Sequence, residues 1–291
     1  MPRRKRWEAL EVKDGFGQIR FLRWRYFTDY INQHMLDYET YIWRGHRLES
    51  WSLKSTLDRL IEEASVSKTK QLMFRTAHLE QFKYAVRGRR GHNPASIESE
   101  NEWWALGQHH GLATPLLDWT ASPFVAAYFA LIKKGLGIGR YRAIYALHRP
   151  SVESKVQELI ERKKQEAEKK KEEYDKSGEP KNRLAYVLLT TPDITPEVEF
   201  IRPKSDENQR LVSQGGMFTR APIGTTLEEW VQRNFVGETG GYTLMKLLIP
   251  NREREEGLRM LNRMNINHLT LFPDLYGASK YCNLFGEIDK Y

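Results

Sequence analysis

The apolar positions of this chain change period along its length. Residues 24–34 gather aromatics on one side of a helix, and 53–64, 70–85 and 100–110 repeat the spacing of helices with one buried face. The sharpest local signal lies at 120–135. Ser122 is an N-cap residue, Pro123 suits the first helical position, and 124–132 is apolar nearly all round, which predicts a buried helix. Lys133 and Lys134 follow where cations complement the helix dipole, and Gly135 ends the run. Strand-like runs come next, at 141–148, 184–190, 198–201, 216–220 and 243–249, with a short one at 268–272. The stretch 252–264 is amphipathic and helical, and Asp274 caps a last helix.

Helices first, strands next and helices again predict an α+β fold, with a mixed or antiparallel sheet flanked by helices. Residues 1–37 read as a basic, helical N-terminal segment and 38–291 as the main domain. Within that domain, 151–180 is dense in Glu and Lys at pairing distances such as Glu166–Lys170. Its apolar residues are too sparse for a coiled-coil seam, so a projecting, solvent-exposed helical insertion is expected, ending at Ser177-Gly178-Glu179-Pro180.

Charge narrows the choice of partner. Lys and Arg number 46 against 38 acids, a formal +8. Basic residues concentrate at Arg3, Arg4, Lys5, Arg6, Lys13, Arg20, Arg23 and Arg25, and again at Arg87-Gly88-Arg89-Arg90. Such patches attract phosphates by counterion release, so nucleic acid is a candidate partner; the alternative is a solvated surface. No apolar run approaches the roughly 18 residues that cross a bilayer. The single cysteine, Cys282, fits a reducing compartment, and a cytoplasmic location without membrane contact is expected. The glycines at 135, 137 and 139 lack the Lys-Ser/Thr and following helix of a phosphate loop.

Three segments carry a resemblance. Trp43-Arg44-Gly45-His46 precedes Trp51-Ser52-Leu53-Lys54. Gln108-His109-His110-Gly111-Leu112-Ala113-Thr114-Pro115-Leu116-Leu117-Asp118-Trp119-Thr120 runs into the Ser122 helix, and Arg210-Leu211-Val212-Ser213-Gln214-Gly215-Gly216-Met217-Phe218-Thr219 comes later. Together they resemble the FRG-domain family over roughly residues 38–275. Trp43 stands where the family has Phe, His110 where it usually has Tyr, and Pro115 where it usually has Arg. The resemblance implies a setting in bacterial conflict, as a toxin or phage-defence effector, and no settled chemistry. A toxin implies a neutralising antitoxin or regulatory partner, for which the 151–177 helix is a candidate docking arm.

The order of parts is also similar to ADP-ribosyltransferases: an aromatic-Arg-Gly strand, a Thr/Ser element entering a buried helix, then a Glu-x-Glu strand. Here these are Arg44, Thr120-Ala121-Ser122, and Glu197-Val198-Glu199. Cleaving the nicotinamide–ribose bond of NAD builds oxocarbenium-like charge that a carboxylate stabilises, while an arginine grips pyrophosphate with two parallel N–H donors. This similarity implies Glu199 as catalytic carboxylate and NAD as substrate. Arg44, Gly45, Thr120, Ser122 and Gln214 would hold the nucleotide, with Gly45 letting it approach the backbone. Gln214 rivals Glu199 for the third position, because an amide there holds substrate without supplying charge. His110 and Asp118 are further catalytic candidates, His110 as proton carrier and Asp118 orienting it or binding a ribose hydroxyl. No spacing of His or Cys supports a metal. ADP-ribosyl transfer to a macromolecule, nucleic acid before protein, therefore stands beside two alternatives. One is a non-catalytic nucleotide or nucleic-acid sensor; the other is a metal-independent ribonuclease built on His110 and Asp118.

Overall fold

The computed structural model describes residues 5–135, 139–176, 186–187, 190–202, 214–238 and 241–291. The fold is α+β. One eight-stranded sheet runs in the order β1-β2-β8-β5-β3-β4-β7-β6. Its strands are β1 (Trp7–Lys13), β2 (Phe16–Phe21), β3 (Tyr41–His46), β4 (Leu116–Thr120), β5 (Tyr141–His148), β6 (Glu199–Ile201), β7 (Gly216–Arg220) and β8 (Leu244–Pro250). All neighbours are antiparallel except β2 and β8, so the sheet is mixed.

Period-two alternation of apolar residues covers both faces of the sheet. On β5, Ile144 and Ala146 join one core while Ala143, Tyr145 and Leu147 join the other; on β8, Met245, Leu247 and Ile249 alternate with Leu244 and Leu248 in the same way. The first core is closed by α1 (Trp24–Tyr30), α5 (Pro123–Leu131), α8 (Arg254–Arg263), α9 (His268–Leu271) and α10 (Leu275–Glu287). The second receives α6 (Arg149–Lys176) and α7 (Leu227–Asn234). A smaller third cluster seats α2 (Thr56–Glu63), α3 (Gln71–Ala85) and α4 (Glu100–His109) beside β4, β6 and β7.

Several sequence expectations change here. Residues 7–21 form a hairpin of the main sheet, so among the described residues the basic segment 1–37 is helical only over 24–35. Asp14 and Gly15 turn it with φ of 52° and 74°, and β2 buries Gly17, Ile19 and Phe21 while its other positions stay half-exposed. The basic side chains obscure that alternation. The insertion is anchored at its root: α6 buries Val152, Val156 and Leu159, an i, i+4, i+7 stripe hidden among charges, and only its later turns are largely exposed. Residues 177–180 lie outside the described residues. Residues 268–271 are helical rather than extended, because Asn267 and Thr270 form a reciprocal cap. Of the expected strand 184–190, residues 186, 187 and 190 are helical and the others lie outside the described residues.

Helix α5 is seated as its sequence predicts. Ser122 Oγ accepts from Val125 N (3.3 Å), and Pro123 takes the first helical position. Its C-terminal end is closed by two buried arginines. Arg142 donates from Nη1 to the Ala130 and Lys133 carbonyls (2.5 and 2.8 Å), and Arg254 donates to those of Leu131 and Ile132 (both 2.7 Å). These carbonyls have no partner within the helix, and the cations also oppose its negative end. Burial and the neighbouring Arg254 lower Arg142 to about 10, still protonated at neutral pH.

The helix lies against β3 at Gly45, where a Cβ would fall 1.9 Å from the Ala126 carbonyl oxygen and 2.6 Å from Ala130 N. Both obstacles are backbone, so no side chain can yield. Gly45→Ala is expected to destabilise the protein by about 3 kcal/mol or more, as for severe overpacking, read as a lowered denaturation midpoint. An alanine variant of normal stability would refute this seating.

Candidate functional site

Strands β3 and β4 pair at one position only, Trp43 opposite Thr120. From there β3 continues along β5 and β4 along β7, and a cavity of about 430 Å³ lies at the seam. Arg44 spans it. Its Nη1 donates to the Asp118 carbonyl (2.7 Å) and to Asp118 Oδ2 (3.3 Å), and its Nε donates to His46 Nε2 (3.0 Å). The arginine thus supplies contacts across the seam where ladder hydrogen bonds are lacking.

Both ends of this contact are fixed from behind. Because His46 Nε2 accepts, its proton sits on Nδ1, which faces the Trp51 carbonyl at 3.3 Å; the Tyr145 hydroxyl donates to the same carbonyl (2.9 Å). Burial, reinforced by Arg44, pushes His46 down to about 3, so it is a neutral acceptor at physiological pH. On the other side, Gln108 Nε2 donates to both Asp118 carboxylate oxygens (3.1 and 3.0 Å). Gln108 Oε1 accepts from the Thr114 hydroxyl, which sets the amide's orientation, and Thr114 N donates to Thr56 Oγ1 (2.9 Å).

The cavity wall combines charge with aromatic surface. Arg44, Arg47 and Lys133 face it against one carboxylate, Asp118, among the described residues. Trp51, Phe129, Phe218 and Phe272 supply rings, and the Arg47 guanidinium lies 5.2 Å over Trp51, whose side is open to solvent. Such a wall suits an anion that carries a flat ring.

Of the sequence candidates, Arg44, Gly45, Asp118, Thr120 and Gln214 meet in this cleft although they come from distant segments. Gly45 lines the cavity and also admits the close approach of helix α5. Thr120 is buried and donates from Oγ1 to the Gln214 carbonyl (2.6 Å), while Gln214 Nε2 donates to the Leu271 carbonyl (3.2 Å). Ser122 lies outside the lining and caps α5. His110 is an exposed C-cap residue of α4, and its neighbour His109 is the one that lines the cavity.

Glu199 is placed elsewhere. It sits on edge strand β6 in a different groove, bound to Arg220 and accepting from Asn101 Nδ2 (2.8 Å), and Glu197 pairs with Lys163 (3.6 Å) and Arg233 (3.5 Å). The strand beside β4 is β7, and Gln214 lies in the turn that leads into it. A three-residue pattern cannot reveal which strand lies next to which. Gln108, His46, Arg47 and Lys133 are not site candidates from sequence, although Gln108 and His46 lie inside the quoted motifs and Lys133 stands out there only as a helix-end cation. Among the described residues no group of three or more His, Cys, Asp or Glu is placed to hold a metal, and no helix is long and apolar enough to cross a membrane.

The depressed His46 makes stability pH-dependent. Unfolded histidine takes up a proton near pH 6.5, whereas folded His46 does so only near pH 3. Its contribution is therefore complete above pH 6.5 and is lost as pH falls towards 3, by up to about 1.4 kcal/mol per unit. Burial lowers His268 to about 4, which acts in the same sense. Denaturant unfolding should show lower stability at pH 5 than at pH 7, with a shallower dependence in His46→Gln; equal stability at both pH values would contradict this.

No curated protein and no solved structure matches the chain. The FRG-domain family model matches residues 39–136, from the approach to β3 through the end of α5, and leaves β7 and Gln214 outside it. The chain contains an FRG domain, and Arg44, Gln108 and Asp118 of the cleft lie within it.

Proposed function

We propose that the cleft binds NAD and transfers its ADP-ribosyl group to a macromolecule, with Asp118 rather than Glu199 as the working carboxylate. The observation that carries this reading is the convergence of Arg44, Asp118, Thr120 and Gln214 in one cavity whose wall, among the described residues, carries three cations, several rings and a single acid. The order of parts matches the ADP-ribosyltransferase similarity once Gln214, in the turn that leads into β7, takes the third position.

The chemistry assigns each group a task. Arg47 and Lys133 complement the diphosphate, together with the face of Arg44 turned from Asp118. The aromatic wall receives a ring. As the bond between ribose C1′ and nicotinamide breaks, nicotinamide leaves neutral, and the positive charge developing on the ribose is stabilised by the Asp118 carboxylate. The acceptor's oxygen or nitrogen then bonds to C1′ and releases its proton to Asp118 or water. Gln108 and Arg44 hold the Asp118 carboxylate in its orientation. Nucleic acid is the favoured acceptor class, supported by the formal +8 of the chain and by exposed Arg87 and Arg89.

The test is incubation of the protein with NAD labelled in its adenylate part, with RNA, DNA or lysate protein as acceptor, following label transfer and nicotinamide release. Arg44→Ala and Asp118→Asn should each reduce turnover by about 100-fold or more, whereas Glu199→Gln should leave it near wild type. NAD binding without turnover in any acceptor would replace the enzyme with a sensor. Absence of NAD binding would overturn the reading altogether.

A further inference from the structure

A second cavity, of about 840 Å³, lies away from the cleft, between the β1–β2 hairpin, the turn after α1 and the 241–243 segment. Its lining is unusual for this protein. Among the described residues, Tyr30, Tyr38, Tyr41 and Tyr242 line it together with His148 and one acid, Glu238, and no lysine or arginine does. Elsewhere guanidinium groups lie over tyrosine rings, as Arg25 covers Tyr26 and Arg87 covers the exposed Tyr84. Among the described residues no Lys or Arg lies over these four tyrosines.

The walls are held in place from behind. The Tyr41 hydroxyl donates to the Tyr242 carbonyl (2.8 Å), and the Tyr242 ring lies so close to Gly17 that a Cβ there would come within 2.2 Å of it. Tyr30 is nearly buried. Tyr38 and Tyr41 stand perpendicular, with ring centroids 6.2 Å apart, and form a corner of which Tyr38 is the exposed side. The acid is positioned through its backbone: Gly15 N donates to the Glu238 carbonyl (3.4 Å), and Gly237 N donates to Asp14 Oδ1 (2.9 Å). Burial keeps His148 below its ordinary value, so it adds no positive charge at neutral pH. Residues 31–35 form a π-helical turn, a rare backbone that recurs at functional sites, and it contributes His34 and Met35 to the same wall.

Rings at right angles, a carboxylate and no competing cation form a receptor for positive charge without strong hydration. We propose that this cavity binds an organic cation of the methylated-ammonium class, held by cation–π attraction to the tyrosines and by Glu238. The site is independent of the cleft and of its proposed reaction.

The test uses choline as probe and 3,3-dimethylbutan-1-ol as its uncharged counterpart of the same shape, each titrated into the full chain and followed by tyrosine fluorescence and calorimetry. Choline should saturate, and the neutral analogue should bind at least about fivefold more weakly. Tyr38→Ala and Glu238→Gln, both at exposed positions, should each weaken choline about three- to tenfold with thermal midpoints unchanged. Absence of saturation at roughly tens of millimolar choline, equal binding of the neutral analogue, or unchanged choline affinity in either variant overturns the proposal. So does binding of adenosine with choline silent, which would make the cavity a nucleobase site.

Discussion

The close approach of α5 to β3 is the contact on which the rest of this structure depends. It requires a residue without a side chain at position 45, because the helix backbone occupies the space of a Cβ. It also requires a helix that is apolar on every side and closed at both ends, since an unpaired polar group buried there costs as much as a lost hydrogen bond. Ser122 closes one end and the Arg142–Arg254 pair the other. With the helix fixed, Phe129, Ile132 and Lys133 become part of the cleft wall opposite Arg44.

Electrostatically the cleft is a connected chain of donors and acceptors. Neutral His46 accepts from Arg44, Arg44 donates to Asp118, and Asp118 also accepts from Gln108, whose own carbonyl accepts from Thr114. Each group's orientation is settled by the group behind it. That arrangement gives preorganisation, in which the charges are already aimed before a ligand enters and little reorganisation accompanies binding. It also explains why Arg44 and Asp118 sit together despite their opposite tendencies in burial: the side chain of Arg44 is largely covered while Asp118 stays open to solvent.

What was legible in the sequence was local. Ser122-Pro123 and the apolar run after them specify α5 almost to the residue, and the alternation in 141–148 and 216–220 specifies two strands. The motif residues Arg44, Asp118, Thr120 and Gln214 were legible as a set. What escaped was lateral order. Glu199 and Gln214 both precede or occupy strands, but only sheet pairing puts β7 next to β4 and β6 at the edge. The N-terminal hairpin escaped for a different reason: lysine and arginine stems can lie along a half-buried strand with their charges in water, so a basic segment need not be a solvated arm.

Strand β8 follows every other strand of this sheet in the chain, yet it lies inside the sheet, bonded to β2 on one side and β5 on the other. During synthesis the hairpin and the β5 edge must therefore wait for residues 244–250 to emerge, with their backbone donors and acceptors exposed meanwhile. The 39–136 match contributes only β3 and β4, which meet each other at one pair. The matched segment therefore carries two strands whose longer ladders, along β5 and β7, are completed by residues outside its own boundaries.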